Sequence, residues 1–500
     1  MKKIGACLML AATLTAAFAQ TNPPPGRAMS LQDCFAAALT NNLDVRIERY
    51  NPLISEYNLS ASYGGYDPQF TLGGTHGSSD FGAYPQNGGP LSPTIDYNNS
   101  FDSGLIGTLP WGTDYSLLGK TGQDHNRSYN EILGANFFTD SSSSSVEVDL
   151  TQPLLKNFWI DSTRLQILVN KNRLKYSEQG LRNQLIQTVT AVEDAYYELI
   201  FAIENVKVQE VALNLAETQL NQDRQRVQVG SLAPLDVQQD EAQAAQSRAN
   251  LITAQKTLSV DQNTLKNLLT DNYAQWHDQD IQPSDNLDIT RQLLDVQDSW
   301  SKGMSSRPDL LQARLDLEQQ GFQLKYYRNQ LYPELDLKGT YRLGGAGYRY
   351  NQSFGQVNDG SRPYYSYGGR LTIPLSNAKA RNNLKAGKAT EKQLLLYLKR
   401  LEQQAMVDID NAVKTAQSAW ESVEATKQAR IYAQAALEAE QKKYAVGKST
   451  TFTVLQLQNN LTSARSQEIR AQADYKKSLA DLAQQEGSTL QRRNLTIDYK

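Results

Sequence analysis

The sequence predicts a mostly helical α+β fold. Two tandem repeats would each join a long antiparallel coiled-coil hairpin to antiparallel β-strands. Three observations predict this. The chain repeats its own motifs in order, four stretches alternate apolar and polar residues, and two long proline-free stretches carry apolar residues at sevenfold spacing.

The chain has 500 residues with 50 basic against 53 acidic, a near balance that gives no reason to expect nucleic acid as a partner. It opens with Lys2, Lys3, an apolar run and Ala17-Phe18-Ala19, the pattern of a secretory signal over residues 1–19. Ile4-Gly5-Ala6-Cys7 is a faint lipoprotein box, but six residues before the cysteine leave no room for an apolar core. With the signal removed, Cys34 is the one remaining cysteine, so no intrachain disulfide is expected. No later apolar run reaches the roughly 20 residues of a membrane helix, so any membrane span would have to be a β-barrel.

The repeat is read by alignment. Asn42 to Thr75 matches Arg307 to Thr340 without a gap, at an offset of 265. Asp44 pairs with Asp309, Arg49 with Arg314, Pro68 with Pro333, and Gly74-Thr75 with Gly339-Thr340. "LTQPL" from Leu150 and "LTIPL" from Leu371 follow at offset 221, then "VQVGS" from Val227 and "YAVGK" from Tyr444 at 217. The fall from 265 to 221 leaves 44 extra residues in the first half, between Thr75 and Leu150.

These markers divide the chain. A linker over 20–29 leads to a first repeat, 30–270, with strands about 68–79 and 143–151, a long inserted loop 76–142 and a helical hairpin 155–270. An equatorial segment, 271–306, precedes the second repeat, 307–486. That repeat has strands about 333–343 and 364–374 and a hairpin 376–486, and a tail runs over 487–500. The inserted segment is rich in Gly, Ser, Asn and Tyr with poor alternation, so it reads as a loop or partial hairpin above the barrel. Two strands there would raise the strand count.

The strands rest on period 2. Leu335, Leu337, Tyr341 and Leu343 share one face, and Glu334, Asp336, Lys338 and Arg342 the other. Val146, Val148 and Leu150 oppose Glu147 and Asp149 in the same way. Alternation fits a lipid-facing strand with a polar lumen and, equally, one face of a soluble sheet. Four strands cannot close a barrel, so membrane strands would need several chains to share one. Pro68, Pro153, Pro333 and Pro374 mark the junctions between strand and helix.

The hairpins rest on period 7. Leu199, Val206, Leu213, Leu220 and Val227 form one row, and Val237, Ala244, Leu251, Leu258 and Leu265 another. The second copy gives Val454, Leu461, Glu468, Tyr475 and Leu482, in which Glu468 departs. Gly230 and Gly447 end the long helices.

In this order the motifs resemble the TolC-like outer-membrane efflux proteins. "SLQDCFAAALTNN" from Ser30, "RPDL" from Arg307, the paired strands, the two "LTxPL" junctions, "VEDAYYELIFAIENV" from Val192 and the two "VG" turns carry the resemblance over nearly the whole chain. It implies a homotrimer in the outer membrane of a Gram-negative-type bacterium, with four strands per chain in a 12-stranded barrel and the helices forming a periplasmic tunnel. The duct would conduct substrate passively from an inner-membrane pump in a tripartite efflux or type I secretion system. Outer-membrane lipid would surround the barrel. A periplasmic adaptor would dock on the hairpin tips, here Val229, Gly230, Ser231 and Leu232, and Val446, Gly447, Lys448 and Ser449.

The family's pore constriction lies just past the tips. Some members carry aspartates six and nine residues after the second glycine. This chain has Thr453 and Gln456 there, so Asp236 and Asp240 of the first copy are the candidates for lumen charge. His76, His125 and His277 are scattered, and no catalytic group, metal set or cofactor motif is read. The competing reading is a periplasmic coiled-coil scaffold without a pore.

Overall fold

The computed structural model describes residues 27–85, 91–130, 133–230 and 232–496. The expected signal segment, Cys7, most of the linker and Ser231 lie outside them. In chain order the described elements begin with β1 (Arg27–Met29), α1 (Leu31–Asn41) and α2 (Leu43–Ser62). Four strands follow: β2 (Gln69–Pro85), β3 (Leu91–Thr108), β4 (Asp114–Asn130) and β5 (Ala135–Pro153). Then come α3 (Ser162–Gln228), α4 (Pro234–Leu269), α5 (Tyr273–Trp276), β6 (Ile281–Pro283), α6 (Val296–Ser306) and α7 (Pro308–Asn329). The remainder is β7 (Glu334–Gly347), α8 (Tyr350–Asn358), β8 (Pro363–Thr372), α9 (Ala378–Ala445), α10 (Thr451–Gln485) and α11 (Thr489–Arg492).

The chain divides into two compact units. The first takes residues up to Arg46, Gln184–Ser299 and Ile409–Leu495. It holds most of both helical hairpins, with their tips, and residues 271–299. Local chemistry sets the helix ends. Ser30 and Asp33 form a capping box on α1, Pro234 occupies the first turn of α4, and Thr450 caps α10. Gly230 and Gly447 both adopt left-handed backbone, with φ of 72° and 73°. At the second turn, Lys448 N–H bonds Lys443 C=O and Gly447 N–H bonds Tyr444 C=O, closing a Schellman cap.

Packing within the hairpins is sevenfold but partly displaced from the predicted rows. Val454, Leu461, Tyr475 and Leu482 are buried as expected, and Glu468 is held by Arg430 at 2.5 Å. On α4, however, none of Val237, Ala244, Leu251 and Leu258 is fully buried. The adjacent row Asp240, Ser247 and Ala254 is buried instead. Small residues let helices approach closely, so the interior of the hairpin takes that row and the larger apolar row lies on a flank.

The expected linker over 20–29 is also corrected. Residues 27–29 form β1, which pairs in parallel with β6. Met29 C=O accepts from the Tyr196 hydroxyl at 3.1 Å, and the Gln262 amide clamps both backbone groups of Ile281. Cys34 is fully buried beside Phe35 and Ala38 in α1.

The second unit, Ile47–Asn183 and Trp300–Asp408 with the last residues, contains one six-stranded antiparallel sheet in the order β2-β3-β4-β5-β7-β8. Here the expected loop 76–142 is overturned. β2 and β5 run far beyond their predicted ends, and β3 and β4 are two further strands in register with them, from Gln69↔Ile106 and Thr108↔Asp114 onward. Backbone pairing needs no alternation, and cross-strand polar pairs such as Asn98–Asp124 at 2.5 Å and His125–Asp140 at 2.7 Å support the extended ends. Among the described residues, β2 and β8 pair on one side only.

Candidate pore and docking tips

The tips expose apolar side chains where each hairpin turns. Val229 is 79% exposed and Val446 68%, with Leu235 and Phe452 exposed beside them. Leu232 is half-buried and Lys448 is exposed. Ser449 is half-buried and donates to Glu440 Oε1 at 2.6 Å, and Lys443 pairs with the same carboxylate at 2.8 Å. Lys443 first, then Ser449, holds Glu440 below the usual carboxylate range.

Of the constriction candidates, Gln456 is exposed, and Asp236 and Thr453 are half-buried in the first turns of α4 and α10. Asp240 is placed differently. It has no exposed surface, so the expectation that it lends charge directly to a lumen is corrected. It lies in a knot that joins four helices.

The centre of the knot is Asp223 of α3, a residue that motif reading missed. Its carboxylate accepts from Gln219 Nε2 at 2.7 Å and from the Tyr444 hydroxyl of α9 at 2.9 Å. Thr451 of α10 lies 3.4 Å away and also meets the Tyr444 hydroxyl at 2.9 Å. Arg226 stacks over the Tyr444 ring at 4.7 Å and sits 3.4 Å from Asp223. Both Asp240 oxygens are buried without a hydrogen-bond donor. Burial, followed by the neighbouring Asp223 charge, pushes the Asp240 carboxyl up to about 7. A signal for Asp223 existed: it continues the sevenfold row of Ala202 and Ala216, both buried.

Further polar ties cross between the hairpins. Gln243 and Asn459 exchange amide bonds at 2.7 and 3.0 Å, and Glu198 receives Arg470 at 2.8 Å and Lys477 at 2.6 Å. The knot and these ties bind the two helical hairpins to each other.

In the sheet, side chains separate by face. One face carries Phe70, Leu72, Phe101, Leu105, Leu117, Val146, Val148, Leu337, Tyr341 and Tyr367. Of these, Leu72 is 78% exposed and Tyr367 84%. The other face places Asp102 opposite Lys120 and Glu147 opposite Arg342, whose guanidinium stacks on Tyr364 at 5.1 Å. Pro68 and Pro333 immediately precede β2 and β7, Pro153 ends β5, and Pro374 follows β8 by two residues.

No described helix is long and apolar enough to cross a membrane, and no described group of three His, Cys, Asp or Glu could hold a metal.

The family model described as outer membrane efflux protein matches residues 116–270 and 301–488, more than half of the chain. Among curated proteins, the chain is 22% identical over 389 residues to outer membrane protein TolC of Escherichia coli K12, covering 75% of this chain and 73% of that one. It is 24% identical over 356 residues to the pyoverdine export outer membrane protein OpmQ of Pseudomonas putida, covering 67% and 68%. Among solved structures, the outer-membrane channel OprN superposes with a TM-score of 0.67 at 16% identity over 92% of this chain and 90% of that one.

Proposed function

The chain belongs to the outer membrane efflux protein family, and from that premise we propose that it is the exit duct of a tripartite export assembly, built from three copies. Membership places the chain in the outer membrane, reaching into the periplasm, as an efflux channel. The six-stranded sheet carries the finer reading. It has an apolar face exposed along its length, a charged face opposite, and two edges that pair on one side only among the described residues. Lipid does not tolerate open strand edges, so β2 of one copy pairs with β8 of the next. Three copies then close a barrel of about eighteen strands rather than twelve, an even number within the range of such barrels.

The helices support the same assembly. The row Val237, Ala244, Leu251 and Leu258 and the exposed Ile252 and Val260 leave apolar surface on α4 for a neighbouring copy. The periplasmic adaptor docks on the tips around Val229 and Val446, and an inner-membrane pump delivers the substrate, which then moves passively. Asp236, Thr453 and Gln456 line the constriction near those tips. The open sheet edges and the exposed apolar face argue against a poreless scaffold.

Reconstitution in a planar bilayer tests this reading. The account predicts a detergent-stable trimer with discrete conductance steps. A monodisperse monomer that is soluble without detergent would contradict it. Asp236→Asn should alter cation selectivity or block, and an unaltered channel would remove Asp236 from the constriction.

A further inference from the structure

One element of the second unit faces the wrong way for water. Helix α8 lies between β7 and β8 and folds back over β7 and β5. It sits on the apolar side of the sheet, the side that carries Leu343, Tyr341 and Val146, not on the charged side. Part of its polar surface is spent on that contact. Ser353 is fully buried, and its hydroxyl meets Ser142 at 3.0 Å and Ser144 at 2.8 Å. Gln356 Oε1 accepts from Ala346 N–H at 3.1 Å, and Gln352 Oε1 accepts from Tyr348 N–H at 2.9 Å. Phe354 of the helix is left 51% exposed and Tyr348, just before it, 72%, while Tyr350 is half-buried. A helix on a protein in water buries its apolar stripe and exposes its polar one. Here Ser353 is the fully buried residue of the helix and Phe354 stays exposed, against that rule.

The seat is built for the helix. A Cβ at Gly345 would overlap the Ser353 carbonyl, and one at Gly347 would press into Gln352. Only glycine at these two outward positions of β7 lets the helix backbone come so close.

Position along the strand identifies what α8 meets. From Leu335 to Gly345 is about ten residues, roughly 33 Å of strand, which rises about 25 Å at a tilt of ~40°. The apolar band of a membrane barrel is about 25 Å tall. The band that starts at Leu335 therefore ends where α8 begins. The sheet agrees: on the same face of β5, Leu150, Val148 and Val146 give way to Ser144 and Ser142, which α8 covers.

We propose that α8 lies in the outer leaflet's interfacial layer, with Ser353 and Gln356 on the barrel wall and Phe354 and Tyr348 set among lipid headgroups. The inference rests on the membrane reading of the sheet given above. Its occupant is lipid because α8 continues the apolar face at its upper rim, where aromatic residues favour the interface. Asn351 and Asn358, exposed at helical spacing from Phe354, suit headgroups and not hydrocarbon.

Depth-resolved quenching tests this. Single cysteines are introduced as Phe354→Cys, Leu337→Cys and Lys448→Cys, and each carries an environment-sensitive fluorophore. Buried Cys34 is out of the dye's reach. The full chain is placed in vesicles whose acyl chains are brominated either near the headgroup or deep. The label at 354 should shift to the blue and be quenched best by the shallow bromines. The label at 337 should be quenched best by the deep ones, and that at 448 by neither. Quenching at 337 with none at 354 would overturn the placement of α8 alone. No quenching at 337 would overturn the membrane reading of the sheet as well. Gly345→Leu should unseat α8 and abolish shallow quenching at 354 while leaving the label at 337 as before. Unchanged quenching at 354 in that variant would refute the seat.

Discussion

Asp240 sits on an interior row of α4 where an apolar or small residue would be expected, facing Asp223 across the hairpin. Two ionised carboxylates repel and cannot hydrogen-bond, so one proton between them satisfies both. Because burial raises the Asp240 carboxyl from 3.8 to about 7, its folded form holds the proton more tightly than the unfolded chain does. The linked stability is fully present below about pH 3.8 and is lost as pH rises through about 7. The groups facing the pair are Asp236 on α4, Arg226 and Gln219 on α3, Tyr444 on α9 and Thr451 on α10. Thermal melts should therefore fall from about pH 5 to about pH 8, and Asp240→Asn should flatten part of that fall. Glu193, which burial also raises to about 7 against the pull of Arg493, titrates in the same window. The readout is therefore the difference between the two proteins. An identical pH profile would contradict the shared proton. Tyr444→Phe removes the shorter of the two hydroxyl contacts from the second hairpin to Asp223 and leaves Thr451 at 3.4 Å. It should cost about 1–3 kcal/mol and speed hydrogen exchange at both tips.

At the scale of elements, what the sequence disclosed followed from how regular each pattern was. The hairpins were legible because the absence of proline and the sevenfold spacing run over many turns. The stops at Gly230 and Gly447 were legible because left-handed backbone favours glycine, and their φ values bear this out. Alanine at either position should cost roughly 1–2 kcal/mol, read as a lower melting temperature. The strands β3 and β4 were illegible for a physical reason. On the apolar face of the sheet, β4 runs Tyr115, Leu117, Gly119, Thr121 and Gln123, so alternation fades partway along the strand. The remainder is held by backbone bonds and polar cross-strand pairs, which leave no hydrophobic period. Amides within 94–108 and 114–128 should exchange as slowly as those of β5. Loop-like exchange there would contradict the six-stranded sheet. Asp223 escaped notice because a motif search looks past the helix stop, whereas the carboxylate lies seven residues before Gly230.

At the scale of the molecule, each half of the chain carries one long hairpin and its own strands, and polar ties such as Gln243–Asn459 hold the hairpins together. The family was legible because its markers occur twice in the same order. The strand count per chain was not, since it depends on the segment in which the two halves differ. That count is central to the proposed duct, because it sets how many strands three copies would contribute and which edges would meet. Electron cryo-microscopy of the protein in lipid nanodiscs tests it most directly. The account predicts a threefold particle whose barrel has eighteen strands, with β2 of each copy paired to β8 of the next. A twelve-stranded barrel with β3 and β4 outside it, or a single chain with both sheet edges free, would contradict it.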